Sequence, residues 1–429
     1  MKVYLDSIGC RLNQSEIETY ARQFRLAGHI LVPTAGEADL AVINTCTVTT
    51  AADSDSRSRI RQAIRSGTGN VVVTGCWSTL YPDQATQIPG VSSVIPNVEK
   101  NSLVPTLLDI SEEEFDLEPL ARELIPGARL RTRAFIKVQD GCDNRCTFCV
   151  TTIARGSGKS RSAKDILKDI QDTITNGESS AKEIVLTGVH LGSWGQDLPS
   201  PRNITTLINM ILKETDVARL RISSIEPWNL DEQFFSIFAE PRVCRHIHLP
   251  LQSGSATVLR RMARKTTPES YAEIVSKIRK TCPEIAITTD LIAGFPGETD
   301  QEFSETIDFI HEINFAGGHV FTYSARPGTS AANMPNQVPH QLRKSRNAEL
   351  RRVFAKSAEG YERRFLNQTV EVLWESVTEM DSNSWSMHGL SDNYLRLKTR
   401  AAKNLWNQIT PVKIKKFMQK GLVGEIQGF

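Results

Sequence analysis

Between about residues 130 and 365 short β-rich runs alternate with helix-length segments, and nothing else in the chain restricts its fold as much. The strand candidates are "AFIKVQ" (134–139), "EIVLTG" (183–188), "RLRISS" (219–224), "HIHLPL" (246–251), "AITTDLIAG" (286–294) and "GHVFTYS" (318–324). Helix candidates follow them at roughly 163–176, 203–215, 231–239, 268–280, 300–312 and 340–366. Such alternation implies parallel strands joined by right-handed crossovers. Six units suit a curved parallel barrel, either an incomplete one of six or a whole one of eight with two strands undetected.

The flanks read differently. Among the first 100 residues, "KVYLDS" (2–7), "DLAVINT" (39–45) and "NVVVTG" (70–75) are apolar enough for strands buried on both faces. Helical spacing over Ser15 to Ala27 and an Arg/Ser-rich stretch around Asp53 to Ser66 lie between them. An N-terminal parallel-sheet α/β domain is therefore expected over 1–125, and the barrel over 126–365. From about Asn367, "TVEVLWESV" (369–377), "NYLRLKT" (393–399), "PVKIKKF" (411–417) and "LVGEI" (422–426) predict a small antiparallel β-barrel over 366–429. The acidic "SEEEFDLEPLARE" (111–123) is read as a linker or exposed helix.

A net charge of +2 conceals segregation: Asn393 to Gly424 holds eight basic residues (Arg396, Lys398, Arg400, Lys403, Lys413, Lys415, Lys416, Lys420) and no acid. That is the footprint of a polyanion-binding surface. No apolar run approaches the ~20 residues of a membrane span. "MKVYLDSIGC" reads as a strand rather than a secretory signal. A cytoplasmic setting is expected, where clustered thiols act as metal ligands or catalysts rather than disulfides.

"GCDNRCTFCV" (141–150) places Cys142, Cys146 and Cys149 just after the first barrel strand, and three of the chain's eight cysteines lie in this one loop. In parallel barrels that mouth gathers catalytic groups. The C-x3-C-x2-C spacing lets one loop ligate three irons of a [4Fe–4S] cluster and leave the fourth open. Zinc would need a further ligand, and the next histidine is His190, a strand away. Ordinary loop cysteines are the remaining reading. Cys10, Cys46 and Cys76 each follow a strand of the N-terminal sheet ("SIGC", "INTC", "TGC"), so parallel strands bring all three to one edge. They make a second three-thiolate site, against the alternative of unrelated buried cysteines. Cys244 and Cys282 are expected to pack.

The cysteine spacing resembles that of the radical S-adenosylmethionine (SAM) enzymes. Two three-cysteine sites in this order, with a basic C-terminal β-domain, resemble the methylthiotransferase family over essentially the whole chain. The matching residues are "GCRLN" (9–13), "NTC" (44–46), "TGC" (74–76), "GCDNRCTFC" (141–149), "RGSGKSR" (155–161) and "DLIAGFPGET" (290–299). The resemblance implies an incomplete (β/α)6 radical SAM barrel, a TRAM-like RNA-binding barrel, SAM and two [4Fe–4S] clusters. SAM would chelate the open iron of the Cys142/Cys146/Cys149 cluster and be cleaved to a radical. The Cys10/Cys46/Cys76 cluster would hold the sulfur to be inserted. The implied substrate is adenosine 37 in a tRNA anticodon stem-loop. "CTFCVTTIARG" and "YSARPGTSAANMP" resemble the branch acting on N6-threonylcarbamoyladenosine, and the N6-isopentenyladenosine branch is the alternative. An electron donor such as flavodoxin or ferredoxin and a sulfur donor are implied partners; no membrane partner is expected, and a monomer is.

For SAM, the resemblance points to backbone at Thr187, Gly188 and Val189 in "TGVHLG", which departs from the Gly-Gly-Glu of many superfamily members. Glu226 with Ser224 would meet the ribose, and Gln252 and Ile292 end the fourth and fifth strands. Phe148 fills the aromatic position before the last cysteine, where loop packing also accounts for it. His246 and His248 share a strand face and read as core histidines or as interior lining. Arg155 and Arg161 are candidates for a SAM carboxylate or an RNA phosphate, and Lys159 for solvent. Tyr394, Trp406 and Phe417 are core aromatics or base-stacking platforms. Arg343, Lys344 and Arg346 extend the basic surface or form a solvated helix face. A redox-sensing iron–sulfur RNA binder without turnover, and a zinc-ribbon-like RNA binder, are the rival classes.

Overall fold

The computed structural model describes residues 1–111, 115, 117, 132–175, 180–228, 230–381, 384–418 and 421–428. Most of the acidic stretch at 111–123, the boundary expected near 125, and Lys420 lie outside the described residues.

Five parallel strands form the N-terminal sheet: β1 (Lys2–Ser7), β2 (Ile30–Leu31), β3 (Leu40–Thr45), β4 (Val71–Gly75) and β5 (Val91–Ile95), in the order β2-β1-β3-β4-β5. Alternation along each strand divides the apolar residues between two faces. Val3, Leu5, Val42 and Val72 pack against Ile17, Tyr20 and Phe24 of the helix Arg11–Leu26. Ala41, Ile43, Val71 and Val73 pack against Ile60 and Ala63 of the helix Thr50–Arg65. β2 and β5 were not foreseen: one is two residues long, and "VSSVI" has too little apolar content to read as a strand.

The central region begins with β6 (Arg133–Lys137). A two-residue antiparallel pair, β7 (Gln139–Asp140) with β8 (Lys159–Ser160), closes the cysteine loop. The remaining strands are β9 (Glu183–Thr187), β10 (Arg219–Ile222), β11 (His246–His248), β12 (Ala286–Ala293) and β13 (Gly317–Thr322). The parallel sheets β6-β9-β10 and β11-β12-β13 are joined by bridges at Leu220–Val243 and Ser224–His248 into a six-strand arc. Among the described residues β13 does not pair with β6, so the barrel is open on one side. The helices 163–175, 204–214, 268–281, 300–313 and 340–363 cover its outside, each within a few residues of its predicted span.

The C-terminal region is a closed five-strand barrel: β14 (Thr369–Asp381), β15 (Ser384–Ser391), β16 (Arg396–Ala401), β17 (Ile409–Met418) and β18 (Gly421–Ile426), ordered β14-β15-β16-β18-β17. All pairs are antiparallel except β16 with β18. Leu397 and Thr399 point inward while Arg396, Lys398 and Arg400 form an exposed basic row. β15 escaped the sequence reading because its buried positions, Met387 and Leu390, break the two-residue period at Gly389. At Gly389 a side chain would strike β14.

Two polar interfaces bind these regions. Between the N-terminal sheet and the arc, Glu16 accepts from Lys100 (2.6 Å) and Arg155 (2.9 Å); both cations also meet Asp140. Arg326 reaches Asp53 and Thr47, each at 2.6 Å. Between the arc and the C-terminal barrel, Arg221 grips Glu183 through two hydrogen bonds (2.6 and 3.0 Å) and donates to the Asp392 carbonyl. Arg219 donates to the Glu371 carbonyl. The turn Ser391–Leu395 thereby enters the open barrel, where Tyr394 stacks on His246 at 4.0 Å between ring centroids.

Candidate active site

Cys142, Cys146 and Cys149 lie on a loop fixed at several points. The Cys142 amide donates to the Gly156 carbonyl, Cys149 to Cys146, and Thr147 to Met262, each at 3.0 Å. The side chain of Gln139 donates to the carbonyls of Asp140 (2.9 Å) and Gly141 (2.8 Å) and accepts from the His190 amide (2.8 Å). Donors face the sulfurs: the Asn144 amide and side chain lie 3.4 Å from Cys142, Arg264 lies 3.7 Å from Cys146, and Thr152 3.7 Å from Cys149.

Cys10 follows β1, Cys46 follows β3 and Cys76 follows β4, three adjacent strands that all end at the same edge. Two glycines permit the approach. Gly9, at φ +97°, has its missing Cβ position 2.5 Å from the Cys46 sulfur, and a side chain at Gly75, also at φ +97°, would overlap Thr45 and Asn44. Asn97 donates toward Cys76 at 3.6 Å, and Asn13 accepts from Cys10 at 3.5 Å. All eight cysteines are free thiols. Burial pushes the Cys46 thiol up to about 11, and raises Cys142 and Cys146 despite the opposing Asn144 and Arg264 contacts. Cys244 and Cys282 are buried elsewhere; Cys244 is 3.7 Å from Glu183.

All six sulfur-bearing residues line one cavity of about 770 Å³. Phe148, Thr187, Gly188, Val189, Ser224, Glu226 and Gln252 line it too. Ile292 does not: it packs with Phe295, Tyr323 and Met262 in a cluster that Phe148 also joins. Each set of three free thiols converging on the cavity fits a three-thiolate cluster site, and the donors at Cys142, Cys146, Cys149 and Cys76 would stabilise bound thiolate. Gly188 lies against Gln139, where a side chain would be 3.1 Å from its carbonyl, so the β9 end presents backbone to the cavity.

Other expectations are corrected. Arg155 is buried against Glu16 and Asp140 and donates to Asn13 (2.8 Å), so it braces two regions rather than meeting phosphate. Arg161 donates to the Lys137 carbonyl (2.7 Å) and to Asp169 (3.3 Å). Arg346 is buried on Glu298 and Asp300, and Arg343 holds the Tyr323 carbonyl, so neither extends the basic surface, whereas Lys344 and Lys159 are exposed. Trp406 and Phe417 are half-buried at the C-terminal barrel, Phe417 under the Arg363 guanidinium. His246 and His248 both line the cavity, and His246 is packed as well: burial, followed by the nearby Arg221 charge, keeps it neutral far below its usual pKa.

Two cavity residues, Arg264 and His319, carried no sequence signal. Arg264 follows an unforeseen helix, Ala256–Arg261; it pairs with Glu226 at 2.5 Å and lies over the Trp228 ring at 4.4 Å. Asp290 accepts from His248 (3.2 Å) and His319 (3.1 Å), and these three could hold a cation, their ligand atoms lying within 4.8 Å of one another. Burial raises the Asp290 carboxyl, but the two histidine hydrogen bonds outweigh it and hold the pKa below the usual range.

Residues 136–310 match the radical SAM superfamily, and residues 2–96 match the uncharacterized protein family UPF0004. Threonylcarbamoyladenosine tRNA methylthiotransferase MtaB of Bacillus subtilis (strain 168) is 35% identical over 425 residues, which cover 96% of this chain and 94% of that one. The tRNA-2-methylthio-N(6)-dimethylallyladenosine synthase of Clostridium tetani (strain Massachusetts / E88) is 30% identical over 438 residues, covering 98% and 95%. Among solved structures, the radical SAM methyltransferase TsrM from Kitasatospora setae shares the fold. Its TM-score is 0.59 at 15% identity, over 77% of this chain and 75% of that one. The cysteine-lined cavity thus sits in a chain similar over nearly its whole length to enzymes of one kind, and this protein belongs to the radical SAM tRNA methylthiotransferases, a family that implies SAM and a [4Fe–4S] cluster.

Proposed function

We propose that this protein converts N6-threonylcarbamoyladenosine at position 37 of tRNA to its 2-methylthio derivative, using two [4Fe–4S] clusters. The observation that carries the reading is the single cavity onto which both cysteine triads open. In this assignment Cys142, Cys146 and Cys149 hold the SAM-cleaving cluster, and Cys10, Cys46 and Cys76 hold the auxiliary cluster. When bound, the first cluster supplies the electron that cleaves SAM, and the second supplies the sulfur. The protein's own work is to orient and to exclude water. Backbone at Thr187, Gly188 and Val189 faces the methionyl end of SAM. Glu226, fixed by Arg264, and Ser224 address its ribose. Gln252 lies further along the wall, and Phe148 closes the loop side.

The tRNA stem-loop approaches over Lys398 and Arg400 of β16, which lie outside the cavity lining, where charge gives salt-dependent affinity and little sequence information. An electron donor and a sulfur donor complete the cycle, and a cytoplasmic monomer suits a tRNA substrate and reduced thiols. Isopentenyladenosine is the second candidate substrate, favoured only by relatives named for dimethylallyladenosine at similar identity.

The test is anaerobic reconstitution followed by turnover with stem-loops carrying either N6 group, products being read by mass. A 2-methylthio product from the threonylcarbamoyl stem-loop supports the reading. Product from the isopentenyl stem-loop alone overturns the substrate assignment. Iron near four per chain, falling to none without Cys142, Cys146 and Cys149, overturns the second cluster.

A further inference from the structure

Away from the two cysteine triads, the cavity wall carries an excess of positive charge. Three carboxylates line it: Glu226, Asp290 and Glu362. Glu226 is taken by Arg264 and Asp290 by His248 and His319. Glu362 is half-buried; burial, aided by Glu359, raises its pKa, and the Arg396 charge only partly offsets this. Of the four arginines on the wall, Arg155 and Arg264 are committed to carboxylates. Arg11 and Arg396 make no ion pair within 4.0 Å among the described residues, and the one carboxylate on which Arg396 acts is Glu362.

Both share the cavity wall with Tyr394. The Arg11 guanidinium donates to the Tyr394 hydroxyl at 3.4 Å while resting over Phe135, and Arg396 follows Tyr394 by two residues. Tyr394 itself is placed at some cost. Its φ is +67°, a region that L-residues seldom adopt, in a turn closed by Ser391, whose hydroxyl accepts from the Leu395 amide at 2.9 Å. His246 stacks on its ring, and the Arg221 guanidinium lies 5.4 Å from it. An uncommon backbone held by so many partners marks a functional position.

We propose that Arg11, the Tyr394 hydroxyl it touches, and Arg396 on the same cavity wall bind the carboxylate of the threonylcarbamoyl group and so select the anionic N6 substituent over the hydrocarbon one. Guanidinium and phenol donors match a carboxylate's two oxygens. An isopentenyl group would leave Arg11 with only the Tyr394 hydroxyl and Arg396 with only the charge of Glu362, and a site built for a polar group rejects an analogue that lacks it. This rests on the threonylcarbamoyl reading and names the residues that would enforce it.

Equilibrium binding tests it, with anticodon stem-loops bearing threonylcarbamoyl, the same group with its carboxylate converted to the carboxamide, or isopentenyl. The full-length protein should bind the acid about tenfold tighter than the amide, the effect of one charge-assisted contact. Arg11→Gln and Arg396→Gln should each shrink that ratio, and the double variant should bring it near one. Arg396 is exposed, so Arg396→Gln alone carries the test if Arg11→Gln fails to fold. Equal binding of acid and amide by the unaltered protein overturns the proposal. So does weakening of all three stem-loops by one factor, which would make these arginines phosphate contacts. Turnover separates the two failures. If the unaltered protein modifies the threonylcarbamoyl stem-loop yet the ratios do not move, only the carboxylate site is wrong. If it modifies only the isopentenyl one, the substrate reading falls with it.

Discussion

The two cysteine triads face the same cavity but are built in opposite ways. One is written within a single loop between Gly141 and Gly156, closed by its own hydrogen bonds and pinned at Thr147 to the Met262 carbonyl. The other exists only after three parallel strands have paired, since Cys10, Cys46 and Cys76 are brought together by the register of β1, β3 and β4. A loop site brings its sulfurs together by chain proximity and needs the rest of the barrel only to anchor them. A site assembled from strand ends inherits the stability of the whole sheet and of the interface that holds the sheet against the barrel.

The largest expected contrast is in chemistry. Cys142→Ala should abolish formation of 5′-deoxyadenosine from SAM, whereas Cys46→Ala should spare it and lose only the methylthio product. Full product from Cys46→Ala would erase the division of labour. Next in size is the interface: Glu16→Gln leaves Lys100 and Arg155 buried with one carboxylate fewer. Breaking such a network costs about 3–5 kcal/mol, and thermal unfolding of the N-terminal region should shift accordingly. Gly9→Ala imposes a side chain on the Cys46 sulfur and a left-handed backbone worth about 1–2 kcal/mol. It should lower iron content at the strand-end site while leaving SAM cleavage intact. Gly156→Ala, at φ +72° beside the loop triad but with open space at its Cβ, should cost only the backbone term and no iron.

Acid should act on the interface before the loop. Burial opposes ionisation of Glu16, yet Arg155 and Lys100 outweigh it and lower its pKa to about 2. A depressed folded-state pKa contributes stability above the ordinary carboxylate value of about 4.3 that fades as pH falls toward 2. Unfolding midpoints should therefore drop through that window, and Glu16→Gln should flatten the drop.

The sequence disclosed what repeats or sits close in the chain. Continuous apolar runs gave β1, β3 and β4, and six strand–helix alternations gave the arc, because buried parallel strands leave a strong local pattern. C-x3-C-x2-C needs no tertiary information. Arg264, Asp290 and His319 were invisible as a set because each acquires its partner from a different strand end. Arg155 and Arg346 were misjudged for a related reason: a charged residue reads as surface until the fold supplies a buried acid. Ile292 shares a face of β12 with Asp290 but lies two residues further along, within the Phe295 cluster and beyond the cavity lining.

The Ser391–Leu395 turn makes the C-terminal barrel the floor of the reaction chamber as well as a neighbour of it. Tyr394 closes from below the space that the sulfurs close from above. The two functions usually assigned to separate modules, carrying a substrate and shielding a radical, therefore share one peptide turn. Exchanging this small barrel for a relative's would swap part of the reaction vessel too, and a graft that ignored the turn would leave the chamber leaking solvent however well it held its cargo.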